Sequence, residues 1–184
     1  NAWCLPGGKI AVNRGLLTEL GSEAELAAVL GHEIVHGAAR HGAKAQERGT
    51  LLQAGMVVAQ VGLGTSRISP TAANILLAGS GVGAQMVQMK FGRDQESEAD
   101  YYGMLYMKRA GYDPAAAVAL QETFVRLSKE SGRSQNWLEG LFASHPPSAE
   151  RVADNRQSLA KIGAGGEVGS ERYQQRIAAL VAAK

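Results

Sequence analysis

The chain has 184 residues, of which 45% are hydrophobic and 20% charged, a composition typical of a globular protein and not of a disordered one. Lys and Arg number 19 against 17 Asp and Glu, so the net charge of +2 gives no indication of nucleic-acid binding. Cys4 is the single cysteine, which excludes an internal disulfide framework and a cysteine-rich zinc module.

The first elements are predicted to be the two arms of a small β-hairpin. Pro6-Gly7-Gly8 marks a turn, and the flanking residues 3–5 and 9–12 are rich in strand formers. Asn1 already reads as part of the first strand, so we expect an upstream segment to precede the printed sequence. The length fits one domain over residues 1–184.

A long helix is predicted over residues 23–48. Ser22 and Glu25 have the spacing of a capping box, which marks its start. Gly31 and Gly37 lie inside this helix beside histidines and weaken its intrinsic propensity. Their positions indicate close packing of another element.

Residues 51–89 are apolar, in two runs at 51–63 and 75–89. Each run is shorter than the roughly 18 apolar residues that a spanning helix needs. A helical hairpin packed in the core is the favoured interpretation, and a membrane-facing hairpin is the alternative.

Further helices are predicted downstream, and a flexible joint at 163–166 precedes the last of them. Asp113 and Pro114 suit the start of one helix as N-cap and first residue. The fold class is therefore mainly α with one small β element (α+β). The predicted helices cover residues 93–111, 113–130, 148–162 and 171–183.

The segment His32-Glu33-Ile34-Val35-His36 carries the pattern H-E-x-x-H on the long helix. Helix geometry places the two histidines on one stripe, roughly 6 Å apart along the axis, so that both rings can reach one ion. Glu33 shares that stripe and is placed to contact a metal-bound water. His41 is expected about half a turn round the same helix from His32 and is not predicted to be a ligand.

A catalytic zinc usually has three protein ligands, so a third is needed. Glu96 and Asp100 are four residues apart and share a face of the next helix, whereas Glu98 points elsewhere. We assign Glu96 as the ligand and Asp100 as the carboxylate that receives the free ring N–H of a ligand histidine.

Each of these signals also has an ordinary structural explanation. H-E-x-x-H can arise by chance on a helix surface, and a charged helix face is usually solvated. The combination on two helices favours metal binding and catalysis. Two rival functions stay open: a zinc-containing assembly factor or chaperone with little proteolysis, and a metal-independent helical interaction domain.

At these motifs the chain resembles the zinc metallopeptidase family of HtpX, the type I CAAX prenyl protease and periplasmic BepA-like proteases. The matching residues follow one another in the expected order over most of residues 1–151. They are Asn1-Ala2, Pro6-Gly7-Gly8, Arg14-Gly15-Leu16-Leu17, Gly31-His32-Glu33 with His36, Arg40-His41, Arg93, Glu96 with Glu98-Ala99-Asp100, Ser144-His145-Pro146-Pro147 and Arg151.

The resemblance implies a gluzincin-like fold, one Zn²⁺ per chain and endopeptidase activity on unfolded or extended proteins. It also implies that Asn1 and Ala2 pair with the substrate backbone as an edge strand, although they could simply be a frayed terminus. His145 and Arg151 match a second His-and-Arg element near the zinc. Either could stabilise the oxyanion, or His145 could block the open metal position. A plain loop histidine before a helix is the structural alternative.

The resemblance further implies protein quality control on the periplasmic side of a bacterial cell envelope. The chain has no obvious paired membrane spans, unlike HtpX-like members of the family. Membrane association would have to use residues 51–89 or a segment before Asn1. No targeting signal is visible in the sequence.

Overall fold

The computed structural model describes residues 1–5, 7–62, 91–130 and 136–182. These residues form a mainly α structure with a two-stranded antiparallel sheet, as the sequence predicts. The strands are β1 (Ala2–Leu5) and β2 (Lys9–Val12). The helices are α1 (Arg14–Glu19), α2 (Glu23–Ala38), α3 (His41–Gly62), α4 (Arg93–Arg109), α5 (Ala115–Glu130), α6 (Asn136–Ser144), α7 (Ala149–Ile162) and α8 (Ser170–Ala182).

The predicted hairpin is confirmed. Strands β1 and β2 pair in a register that sets Ala2 opposite Val12 and Leu5 opposite Lys9. Gly7 turns the chain with a φ of 86°, a conformation that residues with a Cβ rarely adopt. Pro6 of the predicted turn lies outside the described residues.

The start of α2 follows from its capping residues. Ser22 Oγ accepts a hydrogen bond from the Glu25 backbone N–H at 3.1 Å, as in a capping box. The Glu25 carboxylate reaches one residue further back than the motif predicts and accepts from Gly21 N at 2.6 Å. These bonds satisfy amide groups that have no partner inside the helix.

The prediction of one continuous helix over residues 23–48 is wrong. Helix α2 ends at Ala38 and α3 begins at His41. Arg40 lies between them in the left-handed region with a φ of 56°, a conformation that ends a helix and changes the direction of the chain. His41 therefore does not lie on the α2 surface, and the half-turn argument about its orientation does not apply.

Helices α2 and α4 cross at two glycines, which confirms that the glycine beside His32 marks close packing. A Cβ on Gly31 would lie 2.9 Å from Gly103 O, and one on Gly103 would lie 3.0 Å from His32 N. No side chain fits between the backbones at this crossing. The first half of α4 is thereby held against the H-E-x-x-H segment of α2.

Helix α3 covers the beginning of the apolar stretch. Leu51 and Leu52 are 66% and 70% exposed. The prediction that the stretch packs in the core is therefore wrong for its first residues. The remainder of the predicted hairpin, from residue 63 to 89, lies outside the described residues. Among the helices that the structure describes, none is long and apolar enough to cross a membrane.

Two helices were not predicted, α1 and α6, and both complete the core around α2. Leu16 of α1 is fully buried, and Leu141 of α6 is 6% exposed. The C-terminal helix α8 joins them, because the Tyr173 hydroxyl donates to Leu17 O at 2.7 Å. The predicted helices α4, α5, α7 and α8 are confirmed, with ends within about two residues of those expected.

The segment predicted to be a flexible joint is hydrogen-bonded to the helical body. Lys108 Nζ donates to Ala164 O at 2.8 Å and to Gly165 O at 2.7 Å. Asp113 Oδ1 accepts from Gly165 N at 2.9 Å. The flexibility of this joint stays a prediction.

Candidate metal centre

Helices α2 and α4 bring the three predicted ligands together. His32 Nε2 and His36 Nε2 lie 3.0 Å apart on α2. The Glu96 carboxylate of α4 faces both, with Oε2 3.6 Å from His32 Nε2 and Oε1 3.3 Å from His36 Nε2. Glu96 and His36 are almost completely buried, at 1% and 3% exposure.

A third histidine enters the cluster from the end of α6. His145 Nδ1 lies 3.0 Å from Glu96 Oε1 and 3.2 Å from His32 Nε2. The other ring nitrogen, Nε2, lies 3.4 Å from Glu33 Oε1. The His145 backbone N–H donates to Leu141 O at 2.8 Å, which holds the residue against α6.

The geometry of this cluster suits a metal ion. One ligand atom from each of His32, His36, Glu96 and His145 lies within 4.8 Å of the others. Four nitrogen or oxygen ligands about 2.0–2.1 Å from a tetrahedral ion would lie about 3.3 Å apart, close to the separations found here. In addition, the buried Glu96 Oε2 accepts no hydrogen bond from the described residues.

Asp100 lies one turn after Glu96 and contacts the outer side of the His32 ring. Its Oδ1 is 2.9 Å from His32 Nδ1. Arg151 of α7 donates to both carboxylate oxygens, from Nε at 2.9 Å and from Nη2 at 2.8 Å. Asn155 Nδ2 donates to Oδ2 at 3.2 Å. Asp100 is therefore a buried carboxylate, and both of its oxygens accept hydrogen bonds.

Arg151 is committed to this network. Besides Asp100, its guanidinium donates from Nη1 to Pro146 O at 3.2 Å, and Nη1 lies 2.6 Å from Glu96 Oε2 without hydrogen-bond geometry. The residue is 7% exposed. In this arrangement Arg151 holds two carboxylates in place.

The charges in the site shift several pKa values. Burial opposes a charged His32 ring, but the carboxylates of Glu96 and Asp100 outweigh it and raise the pKa of His32. Burial lowers the pKa of His36 to about 3. For Glu96 burial acts against ionisation, but His32, His145 and His36 hold its pKa well below the ordinary value. The Asp100 pKa is lowered against burial by His32 and Arg151.

Two residues set aside in the sequence analysis, His41 and Glu98, lie in line behind His36, on the side away from the other ligands. His41 Nδ1 lies 3.0 Å from His36 Nδ1, and His41 Nε2 lies 3.3 Å from Glu98 Oε2. Phe91 packs on the His36 ring with a centroid separation of 4.0 Å. The sequence analysis missed the contact between His41 and His36 because it assumed a continuous helix, in which His41 would point away from His36. The left-handed conformation of Arg40 breaks that helix.

A cleft of about 260 Å³ opens beside the cluster between β1, the end of α2 and the start of α3. Glu33 and His145 line it, together with Trp3 and Cys4 of β1. A second cavity of about 60 Å³ is also lined by Glu33 and His145, together with Ala2.

The two predicted substrate-binding residues are themselves buried. Asn1 is 3% and Ala2 1% exposed. Asn1 O accepts from Asn13 N at 2.7 Å, and Asn1 Oδ1 accepts from Ala2 N at 2.8 Å. The first of these bonds ties Asn1 to the residue that follows β2.

Comparison with known proteins relates this site to a family. The chain is 34% identical over 154 residues to mitochondrial metalloendopeptidase OMA1 of Arabidopsis thaliana, covering 82% of this chain and 28% of that protein. The OMA1 protein of Schizosaccharomyces pombe is 35% identical over 153 residues, covering 83% and 41%. The beta-barrel assembly-enhancing protease of Escherichia coli K12 is 31% identical over 160 residues, covering 85% and 31%.

The chain spans less than half the length of each of these relatives. The model of Peptidase family M48 matches residues 1–158, which include every residue of the cluster. Because that match covers most of the chain, this protein belongs to peptidase family M48.

Proposed function

We propose that this chain is a zinc-dependent endopeptidase that hydrolyses peptide bonds with a water activated by Glu33. The observation that carries the proposal is the buried cluster of His32, His36, Glu96 and His145, with Glu33 beside it, in a chain of family M48. A gluzincin-like arrangement, with two histidines on one helix and a glutamate on the next, is part of the same proposal.

His32, His36 and Glu96 would hold the ion, the set of three protein ligands that catalytic zinc sites use. When bound, zinc lowers the pKa of a coordinated water and polarises the scissile carbonyl. The mixed nitrogen and oxygen donor set and the short donor separations support zinc over hard cations, which prefer oxygen ligands.

Glu33 is proposed as the general base and acid. Its carboxylate takes the proton of the attacking water and later delivers it to the leaving nitrogen. The residue is 3% exposed and borders both the large cleft and the smaller cavity, which supports a position between substrate and metal.

His145 is proposed to change roles. With Nδ1 among the ligand atoms it fills the fourth position, which supports the blocked alternative raised by the sequence. When its ring moves out of the cluster, the imidazole can donate to the oxyanion of the reacting carbonyl. Arg151 is proposed to support catalysis through Asp100 and Glu96, because its donors are engaged there.

The substrate is proposed to be an extended or unfolded protein segment that adds to β1 as a strand. Trp3 and Cys4 of β1 line the cleft beside Glu33, which supports pairing there. Asn1 and Ala2 would then fix the strand by their own buried bonds, instead of meeting the substrate themselves.

The test is cleavage of a denatured reporter protein by wild type and by Glu33→Gln, with zinc content measured for each. We expect both to hold one zinc and only the wild type to cleave. Glu47→Gln, the same change at an exposed position of α3, is the matched control and should cleave normally. Full activity of Glu33→Gln would refute the mechanism.

If both proteins hold zinc and neither cleaves, His145→Ala separates two explanations. Cleavage that appears in this variant means that His145 blocks the metal. Continued inactivity with zinc bound favours the rival reading as an assembly factor or chaperone, and a chain that binds no zinc refutes the metalloenzyme altogether.

The cellular role is proposed to be protein quality control on the periplasmic side of a bacterial envelope. The Escherichia coli relative is named a beta-barrel assembly-enhancing protease, which supports a bacterial role in protein assembly. The mitochondrial relatives show that the family also works elsewhere. Fractionation of the producing cells, with detection of this chain in each fraction, tests the assignment.

A further inference from the structure

We propose that His41 and Glu98 are positioning residues that fix the ring of His36 through a chain of two hydrogen bonds. The proposal rests on the proposed function, in which His36 is a zinc ligand. Neither residue touches the ligand atoms of the cluster, so each acts only through its neighbour.

The contacts form a line from the cluster outward. His36 Nε2 faces the cluster, while its other nitrogen, Nδ1, lies 3.0 Å from His41 Nδ1. On the far side of the His41 ring, Nε2 lies 3.3 Å from Glu98 Oε2. His41 is 1% exposed, and a buried imidazole with both nitrogens in contact has a defined place in the structure.

The chemistry of the rings fixes where the protons lie. A neutral imidazole that gives the lone pair of Nε2 to a metal keeps its proton on Nδ1. His36 Nδ1–H must then donate, and His41 Nδ1 must accept. The proton of His41 is consequently on Nε2, where it faces the carboxylate of Glu98. This assignment of protons gives His36, His41 and Glu98 each a matching hydrogen-bond partner.

The fold delivers His41 to this place by the turn at Arg40. The left-handed φ of 56° ends α2 and swings His41 back over the ring of His36. Phe91 packs on the same ring at a centroid distance of 4.0 Å, so the His36 ring is held by a stacking contact as well as by a hydrogen bond. Histidine ligands need such outer partners to keep their tautomer and orientation.

The first experiment measures the zinc dissociation constant by competition with a chelator. Wild type is compared with His41→Leu, which removes the acceptor, and His41→Asn, whose amide oxygen can take the place of Nδ1. We expect affinity to fall about 10–100-fold in His41→Leu, the usual cost of losing such a partner. Most of this loss should be restored in His41→Asn.

Glu98→Gln keeps an acceptor but removes the charge, and it should weaken zinc binding less than His41→Leu does. Glu47→Gln in α3 is the control for carboxylate removal and should leave the dissociation constant unchanged. Thermal melts of the zinc-free proteins identify any variant that fails to fold.

A second measurement needs no variant at all. In the zinc-loaded wild type, ¹⁵N-detected imidazole spectra should show His36 protonated on Nδ1 and His41 protonated on Nε2. His41 protonated on Nδ1, or a dissociation constant for folded His41→Leu equal to that of wild type, overturns the inference. A wild type that binds no zinc overturns the proposed function itself, and the His41 proposal with it.

Discussion

The two histidines of α2 that face the cluster are supported in different ways. His32 meets a carboxylate directly, with Asp100 Oδ1 2.9 Å from its Nδ1. His36 meets a second imidazole first, and the carboxylate of Glu98 lies beyond it. The Asp100 side chain is 6% exposed, whereas that of Glu98 is 48% exposed.

The difference shows how the surroundings set the strength of a supporting carboxylate. Asp100 is shielded from water and paired with Arg151 and Asn155, so removing one partner leaves another charge buried and alone. Glu98 is half in water, where a lost partner is replaced by solvent. We therefore expect substitution of Asp100, behind His32, to reduce stability strongly. Substitution of Glu98, behind His41, should have little effect on stability.

The largest effect is expected for Asp100→Asn. The change keeps the shape but leaves the Arg151 charge poorly paired, so the free energy of unfolding of the zinc-free protein should fall by about 3–5 kcal/mol. Urea denaturation measures this change. Asp154→Asn, an exposed position of α7, is the matched control and should change stability by less than about 0.5 kcal/mol.

A fall in stability for Asp100→Asn no larger than that of the control would contradict the comparison. The Arg151 guanidinium would then be compensated by Glu96 alone, through the 2.6 Å contact between Nη1 and Oε2.

The next largest effect is expected for Gly103→Ala. Its Cβ would lie 3.0 Å from His32 N, so α2 and α4 must separate slightly at their crossing. We expect a loss of about 1–3 kcal/mol of unfolding free energy, the usual cost of overpacking. Zinc affinity should fall with it, since His32 moves relative to Asp100.

Gly49→Ala is the control for that change, because nothing lies within 4 Å of a Cβ at this position of α3. It should be neutral or stabilise the helix by up to about 1 kcal/mol. If both alanine variants unfolded at the same urea concentration, the tight crossing would not be a constraint on the site.

A smaller effect is expected for Asn155→Ala. This variant removes one hydrogen bond, Nδ2 to Asp100 Oδ2 at 3.2 Å, and keeps both bonds from Arg151. The expected loss is about 1 kcal/mol of unfolding free energy, typical of a single buried bond. A loss as large as that of Asp100→Asn would mean that Asn155, not Arg151, dominates the network.

The smallest effect on stability is expected for Glu98→Gln. A hydrogen bond to a carboxylate that is 48% exposed contributes about 0–1 kcal/mol, because water replaces the lost partner, so the unfolding curve of the zinc-free protein should hardly move. Urea denaturation at low and high salt checks this. A loss above about 2 kcal/mol, or a strong salt dependence, would place Glu98 in the same class as Asp100.

Much of the site could be anticipated from spacing within single helices. The four-residue interval in α2 and the same interval between Glu96 and Asp100 each describe one helix face, and helix geometry alone brings such residues together. The capping residue Ser22 located the start of α2 for a similar reason, because its hydrogen bond is local.

Contacts made through a turn or between distant elements could not be read in this way. His41 was judged on a helix that in fact ends before it, and one left-handed residue, Arg40, changes the direction of its side chain. Glu98 was predicted to point away from the metal ligands, and it does. The turn at Arg40 nevertheless brings His41 into contact with Glu98. The engagement of Arg151 with Asp100 depends on how α7 packs, and no spacing rule predicts that.

The glycine crossing also bears on how this site could be inhibited. The close approach of the backbones at Gly31 and Gly103 sets the distance between α2 and α4, and with it the separation of the three donors on these helices. His145 stands apart on the connector after α6, next to Pro146. A small chelating compound could therefore replace the His145 imidazole and bind beside the three remaining donors without a change in the packing of α2 and α4.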